Sequence, residues 1–373
     1  MNSKKKIILL SDPSSSHTLK WANSLALKGL EVYLFGLVTE EPNGYNSNVN
    51  LIVEKISASV KTQSDGSLQK SIYLKVLPKI KSVIKKIKPD IIHSHYASSY
   101  GLLGALSGFK PFIVSVWGND VFDFPGKSFV HKQILKYVLR KADRIYSTSK
   151  IMADETNRYT NKKIRIIPFG VDTNIFKSFP AKKIFDEDTL VIGTVKSLSI
   201  KYGIEYLLEA FQLIKNKFPE KKIKLFLVGD GILKESLQRK ANDLNINDDV
   251  LFYGSVPHAK VPEIYNMIDI AVFPSIWESF GVSNLEAAAC EVPQVASNIG
   301  GFPEIIEDGI TGFLVEPKNP VAIAEKVTEL INNESLRKKI GKAARKKVIA
   351  EFEWDKNVDQ MISEYEQIVK ERV

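Results

Sequence analysis

A single cysteine, Cys290, stands in 373 residues. An intrachain disulfide is therefore excluded, a cysteine-based zinc site lacks ligands, and a reducing, cytoplasmic compartment is expected. Long apolar runs are missing too: Lys4, Lys5 and Lys6 are followed by only Ile7, Ile8, Leu9 and Leu10. That is too short for a signal-peptide core, and nowhere do about 18 apolar residues run together, so no membrane-spanning segment is expected. Self-similarity at a period of about 20–50 residues is absent, which excludes a solenoid. Glycine (21) and proline (16) are at ordinary levels, and 44% of the residues are hydrophobic against 25% charged, so a collagen, a coiled coil and a disordered chain are excluded.

What is present is length and alternation. At about 100–200 residues per domain, this chain makes two. Short apolar, β-branched runs alternate with stretches of helical period, the pattern of βαβ units and parallel sheets. In the first half, strands are predicted at 6–11, 31–37, 50–54, 90–94, 111–117, 144–147 and 164–167, with helices at 17–28, 69–88, 128–141 and 151–159. Polar residues 177–188, with Pro180, predict a linker. The alternation then restarts with strands at 189–195, 222–228, 250–253, 270–273 and 292–296 and helices at 203–218, 232–244, 262–267, 281–290 and within 320–350. The fold class is α/β, with two doubly wound, Rossmann-like domains at 1–178 and 179–350. Residues 351–373 form a terminal amphipathic helix with Val358, Met361, Ile362, Tyr365 and Ile368 on one face. The sequence leaves its docking partner open, a crossing back to the first domain included. Parallel sheets bind ligands beyond the carboxyl ends of their strands, so two such domains are expected to face each other across a cleft.

Charge divides the chain unevenly. The net charge is +9, but residues 1–178 hold 27 Lys and Arg against 13 Asp and Glu, a net of +14, and the remainder holds 25 against 30, a net of −5. The basic half either meets an anionic partner or is a solvated lysine-rich surface. Nucleic acid is disfavoured, because no helix-turn-helix, RNP-like motif or zinc pattern accompanies the charge.

The densest constellation follows the strand at 270–273. A turn carries Glu278, then Phe280, Gly281 and Val282 open an alanine-rich helix that contains Glu286. First-turn amides of a helix are available to an anion. Glu286 lies between Leu285 and three alanines, the apolar side of a tightly packed helix, where an idle carboxylate is costly. Both carboxylates are therefore expected at one pocket.

Residues 192–315 resemble the retaining, GT-B-fold glycosyltransferases of family 4, also called glycosyltransferase group 1. The resemblance is carried by residues 193–203 (GTVKSLSIKYG), by Val228-Gly229-Asp230-Gly231, by 252–256 (FYGSV), by Phe273-Pro274-Ser275 through Glu286-Ala287, and by Gly300-Gly301-Phe302-Pro303-Glu304 with 309–315 (GITGFLV). The first half resembles the family more loosely, through 91–95 (IIHSH), Trp117-Gly118-Asn119-Asp120 and 168–172 (PFGVD).

The resemblance implies hexosyl transfer from a nucleotide-diphosphate sugar, expected to be a UDP-sugar, with no metal and no other cofactor. Lys201 matches the family lysine at the diphosphate, whereas the family arginine falls on Ser197, with Lys196 beside it. Either Lys196 swings in, or the diphosphate relies on Lys201 and the amides of Phe280, Gly281 and Val282. Glu286 is expected on the ribose, Glu278 on the donor sugar near the reacting carbon, and Tyr253 and Gly254 beside the base, with Gly229 in the same donor-binding set. On the acceptor side Trp117 and Gly118 replace the family His-Gly pair, and an indole cannot accept a proton. Asp120 and His95 are the remaining polar candidates for catalysis. Ser14 and His17 lie in the loop after the first strand, where Ser16 is expected to cap the first helix.

The expected partners are a nucleotide sugar and a glycan or polyprenyl-diphosphate-linked acceptor, in polysaccharide or cell-surface glycan synthesis. A basic first domain suits a phosphorylated acceptor and a peripheral contact at the inner face of a membrane. Helix 69–88 alternates Ile72, Val76, Ile80 and Ile84 with lysines, which suits either a bilayer surface or packing on its own domain. Two further readings are a GT-B-fold sugar-nucleotide epimerase and, from Ser197 and Trp117, a sugar-nucleotide-binding protein without catalysis.

Overall fold

The computed structural model describes residues 4–61, 73–182 and 184–371. The chain divides into two compact units, Met1–Pro168 with Asp355–Val373, and Phe169–Trp354. The first boundary thus falls at Pro168 rather than at the expected 178, because 169–178 folds with the second unit: Val171 N donates to Phe352 O at 3.0 Å.

The first unit is built on seven parallel strands, β1 (Lys6–Leu10), β2 (Glu31–Val38), β3 (Val49–Lys55), β4 (Ile91–His95), β5 (Phe112–Val116), β6 (Arg144–Ser147) and β7 (Ile164–Ile166), in the order β3-β2-β1-β4-β5-β6-β7. The apolar run of β1 is explained by its position, since a central parallel strand is covered on both faces. Ile8, Leu10, Ile92, Phe112, Val114 and Ile145 are buried in one core cluster, each contributing about 1.5–3 kcal/mol by leaving water. Strand order reverses between β1 and β4, which opens a crevice at their carboxyl ends.

Two expectations change here. The first helix spans Ser16–Leu27 and its N-cap is Ser15, not Ser16, with no side-chain capping bond; the Ser11 hydroxyl instead meets Thr18 Oγ1 at 2.7 Å. The helix expected at 69–88 spans Leu77–Ile87 among the described residues, and 69–72, with Ile72, lies outside them. Ile80 is buried, and Val76, Val83, Ile84 and Ile87 pack against the core of their own unit. Its apolar side is therefore not presented to a bilayer. A helix at Ser99–Ser107, which short Gly- and Ser-containing sequence conceals, adds Tyr100, Leu103 and Ala105 to the same core.

The terminal helix, Trp354–Lys370, counts from Asp355 with the first unit. Val358, Met361, Tyr365 and Ile368 are buried. Lys5 pairs with Glu366 at 3.1 Å and Lys28 with Asp359 at 2.8 Å, while Glu364 receives Tyr146 Oη at 2.7 Å and an ion pair from Arg165.

The second unit repeats the plan with six parallel strands, β8 (Leu190–Val195), β9 (Ile223–Val228), β10 (Val250–Gly254), β11 (Ile270–Phe273), β12 (Gln294–Ser297) and β13 (Phe313–Val315), ordered β10-β9-β8-β11-β12-β13. Order reverses between β8 and β11. One core cluster joins Ile192, Leu225, Val272 and Val295 of the sheet to Leu207, Phe211, Ile323 and Val327 of two helices, Ile204–Lys217 and Pro320–Asn332. Asn319 caps the second of these through Ala322 N at 3.0 Å. No helix among the described residues is long and apolar enough to cross a membrane.

Candidate active site

In the second unit, the loops after β8 and β11 emerge side by side at the reversal of strand order and are tied together by backbone. Ile276 N and Trp277 N both donate to Lys201 O, at 2.8 and 3.2 Å. Within this frame Lys196 Nζ donates to Glu278 Oε2 at 2.6 Å, with the two side chains only 7% and 10% exposed. The Lys196 ammonium also lies 4.6 Å from the centroid of the Tyr202 ring. A buried ion pair of this kind is costly to leave half-made, so each partner holds the other in place.

Glycines make the pairing geometrically feasible. Gly229 has φ +140°, and a Cβ there would stand 1.9 Å from Lys196 O; Gly300 has φ +53°, and its Cβ would stand 1.7 Å from Glu278 O. Both loops are pressed against neighbouring backbone that no larger residue admits. Ser197 donates its hydroxyl to Asp230 O at 3.1 Å, which turns it toward the loop after β9. Lys201 remains exposed, its ammonium 4.8 Å from the Tyr202 ring centroid and 5.6 Å from that of Trp277. Of the two lysines near the missing arginine position, the structure thus commits Lys196 to Glu278 and leaves Lys201 at the surface of the loop.

Phe280 is buried and Gly281, at φ +113°, opens the helix Val282–Ala289. Glu286 within it is 6% exposed. Its Oε1 is met at 2.8 Å by His258 Nε2, from the segment after β10. Tyr253 is 47% exposed, its ring edge-on to Phe226, and Gly229 N donates to Gly254 O at 2.9 Å. Tyr253, Gly254 and Gly229 therefore stand together at the carboxyl ends of β9 and β10. His258 was not legible as a partner of Glu286, because nothing in a spacing of 28 residues signals contact.

The corresponding edge of the first unit carries a different group. His95, at the end of β4, is buried, stacks on Trp117 with ring centroids 4.3 Å apart, and lies 3.2 Å through Nδ1 from the Ser11 hydroxyl. His93, two residues before it on the same strand face, bonds Tyr365 Oη at 2.6 Å and Ser115 Oγ at 2.7 Å. Burial drives the His93 imidazole down to about 3 and holds His95 well below the usual range, with His93 and His17 as lesser causes. Both rings are neutral at physiological pH. His17 stands edge-on to Trp117 at 6.0 Å.

Asp120 is wholly buried and accepts three backbone amides: Ala97 N at 2.7 Å, Trp117 N at 3.1 Å and Gly118 N at 2.8 Å. Its carboxylate braces the loops after β4 and β5 and thereby sets the Trp117 plane. Ser14 is exposed, its amide bonded to Asp12 Oδ1 at 2.9 Å. The structure thus brings His17, His95, Trp117, Gly118 and Asp120 together, while Ser14 lies at the rim of the same loop. His93 was not singled out from the sequence, although its spacing of two from His95 puts both on one strand face, and nothing in the sequence signalled its contact with Tyr365, 272 residues away.

Comparison with known proteins places these features in a family. The family described as glycosyl transferases group 1 matches residues 176–347, and that described as glycosyl transferase 4-like matches residues 6–149. The chain is 30% identical over 321 residues to the capsular polysaccharide biosynthesis glycosyltransferase CapM of Staphylococcus aureus, covering 80% of this chain and 82% of that protein. Among solved structures it is similar to sucrose-phosphate synthase from Thermosynechococcus elongatus, at 22% identity and a TM-score of 0.83 over 98% of this chain and 99% of that one. It is also similar to Anabaena HepE in complex with UDP, at 18% identity and a TM-score of 0.76 over 96% and 98%. The shared fold is the two-sheet arrangement described above.

Proposed function

The chain belongs to the group 1, family 4 glycosyltransferases and has their GT-B fold, and from that premise we propose that it transfers a sugar from a UDP-sugar to a glycan or lipid-linked acceptor with retention at the anomeric carbon. The observation that carries this reading is the pair of buried carboxylates at one strand-order reversal, Glu278 held by Lys196 and Glu286 within the glycine-opened helix.

In the transfer, the bond from the anomeric carbon to the diphosphate oxygen breaks as a bond to the acceptor oxygen forms on the same face. The acceptor proton passes to the departing diphosphate. The protein's task is to stabilise charge growing on that leaving group. Lys201 and the amides of Phe280, Gly281 and Val282 supply this without a metal. Glu286 accepts the ribose hydroxyls, and Tyr253 with Gly254 and Gly229 borders the base. Glu278 orients the donor sugar, and its ion pair with Lys196 fixes it in place. Ser197 shapes the loop through Asp230 and leaves the phosphate charge to Lys201.

On the acceptor side, neutral His95 offers hydrogen bonding without adding charge, and Trp117 offers a flat apolar face on which a sugar ring packs. Asp120 acts through the loops it braces, and Gly118, Ser14 and His17 complete the edge. The CapM likeness supports an acceptor in polysaccharide synthesis. A membrane-borne acceptor is supported by the helix Phe129–Lys141, which begins at this edge: Phe129 and Val130 are 75% and 62% exposed, and Lys127, Lys132, Lys136, Arg140 and Lys141 accompany them with no acidic residue between. Such a surface suits the inner, anionic face of a bilayer.

The test is release of UDP from a panel of UDP-sugars in the presence of a membrane extract. Turnover that needs the acceptor, together with weakened UDP binding by Glu286→Ala, is expected. No nucleotide release from any donor, with unchanged UDP binding in that variant, rejects the reading.

A further inference from the structure

Glu286 and His258 form an unequal pair. The carboxylate side chain is 8% exposed and the imidazole 67%, yet Oε1 and Nε2 meet at 2.8 Å. A ring standing mostly in water thus reaches in to a carboxylate that is nearly out of it. The other side of the ring is bordered by Phe176, at 5.5 Å between centroids.

Among the described residues, two titratable groups feel the charge of Glu286 and are themselves neutral. Tyr265, from the helix Val261–Tyr265, donates its hydroxyl to Ser283 O at 2.9 Å, and burial followed by the charge of Glu286 holds it well above its ordinary range. Cys290, at the end of the Glu286 helix, is pushed up to about 12 by the same two causes in the same order. Both are neutral at physiological pH. Arg345, from the helix Glu334–Glu351, is near enough to favour the Cys290 thiolate, but its guanidinium is held by Ala289 O, Phe176 O at 3.0 Å and Thr173 O at 3.1 Å. Its Nε lies 3.9 Å from Glu291.

We propose that His258 is a positioning residue that holds Glu286 before a donor binds and gives up its place to the ribose hydroxyls, so that donor binding is linked to a proton on the imidazole. This rests on the reading that Glu286 receives the ribose. A desolvated carboxylate needs a partner when no ligand is present. That partner must also leave when the ligand arrives. A buried lysine or arginine would compete too strongly, whereas this imidazole already stands 67% exposed and can turn outward. When the ring is neutral it gives Glu286 one ordinary hydrogen bond. When it is protonated the bond is charge-assisted and roughly twice as strong, and the ribose competes against more. Donor affinity therefore falls as pH drops through the imidazole range.

Titration calorimetry with UDP near pH 6 and near pH 8 tests this on the full-length wild type, His258→Ala, His258→Gln and Glu286→Ala. Protonation of the nucleotide's own phosphate weakens binding equally in every protein, so the difference between proteins is the quantity read. Both His258 variants are expected to bind UDP about tenfold more tightly than wild type at the lower pH, and to converge with it at the higher. His258→Gln guards against misfolding, since its neutral amide can still donate to Glu286. Identical pH profiles in wild type and both variants overturn the proposal, as does weaker binding by both variants at both pH values. If Glu286→Ala binds UDP as tightly as wild type, the ribose assignment itself fails and takes this proposal with it. Loss of the pH difference in the His258 variants, with weak binding in Glu286→Ala, supports both.

Discussion

The two sheets share a strand order, but their reversal points carry opposite chemistry. At β8 and β11 the side chains are ionic: Lys196 with Glu278, exposed Lys201, and Glu286 with His258. At β1 and β4 the rings are neutral, His95 on Trp117 and His93 between Ser115 and Tyr365, with imidazoles that burial keeps unprotonated, and the nearby Asp120 carboxylate is taken up by backbone amides. The same topology supplies a crevice in each case, and the residues on its loops decide whether charge is met or avoided. A diphosphate leaving group calls for the first kind of edge, and a sugar hydroxyl for the second. The net charge of the two halves runs the other way, because the surplus of the first half lies on outer helices such as Phe129–Lys141 rather than at its buried edge.

The comparison breaks most sharply at Lys196. Lys196→Met leaves Glu278 buried without its cation and is expected to lower stability by about 3–5 kcal/mol in urea unfolding. Adding Glu278→Gln should recover most of that loss; failure to recover would show that the ion pair is not what Lys196 contributes. At Lys201, which is exposed, the effect should fall on chemistry instead: Lys201→Ala is expected to reduce kcat/KM about a hundredfold with the unfolding midpoint unmoved.

Acid separates the edges next. Burial lowers the His93 imidazole to about 3 in the folded state, below its unfolded value near 6.5, so the unfolded chain binds the proton first and stability falls as pH drops below about 6.5. Between about pH 6.5 and pH 5 this amounts to about 2 kcal/mol from His93 alone, and His95 acts in the same direction. Urea unfolding followed by a probe in the first unit should lose this stability before a probe in the second. Tyr365→Phe removes the hydroxyl on His93 Nδ1 and should cost about 1 kcal/mol, seen as earlier release of the terminal helix. The smallest change in stability, within about 0.5 kcal/mol, is expected for Phe129→Ser with Val130→Ser, whose exposed side chains pack on little. Sedimentation with anionic vesicles should nonetheless weaken in that variant.

Strands were legible because central parallel strands are buried on both faces and read as unbroken apolar runs, as at Ile7–Leu10 and Ile270–Phe273. The helix Ser99–Ser107 was not, because its short polar and glycine-containing sequence has no strong period of its own and is stabilised by packing. Helix 69–88 showed the opposite ambiguity: its apolar residues fit a bilayer or a core equally well on periodicity, and the covering of Val83, Ile84 and Ile87 decided for the core. Glu286 stood out as a carboxylate among alanines. Asp120 stood out only as an acid near Gly118, and the three amides that it braces were invisible until the chain was folded.

By itself, then, the sequence determined the alternation of two parallel-sheet domains, the uneven charge, and the placing of Glu278 in the turn before, and Glu286 within, one glycine-opened helix. These are local properties, set by periodicity and by the conformations that glycine permits. Tertiary structure decided the pairings: Lys196 with Glu278, His258 with Glu286, and the terminal helix, through Tyr365, with His93. Each joins residues far apart in the chain, and their meeting depends on how strands and helices pack, which no local pattern encodes.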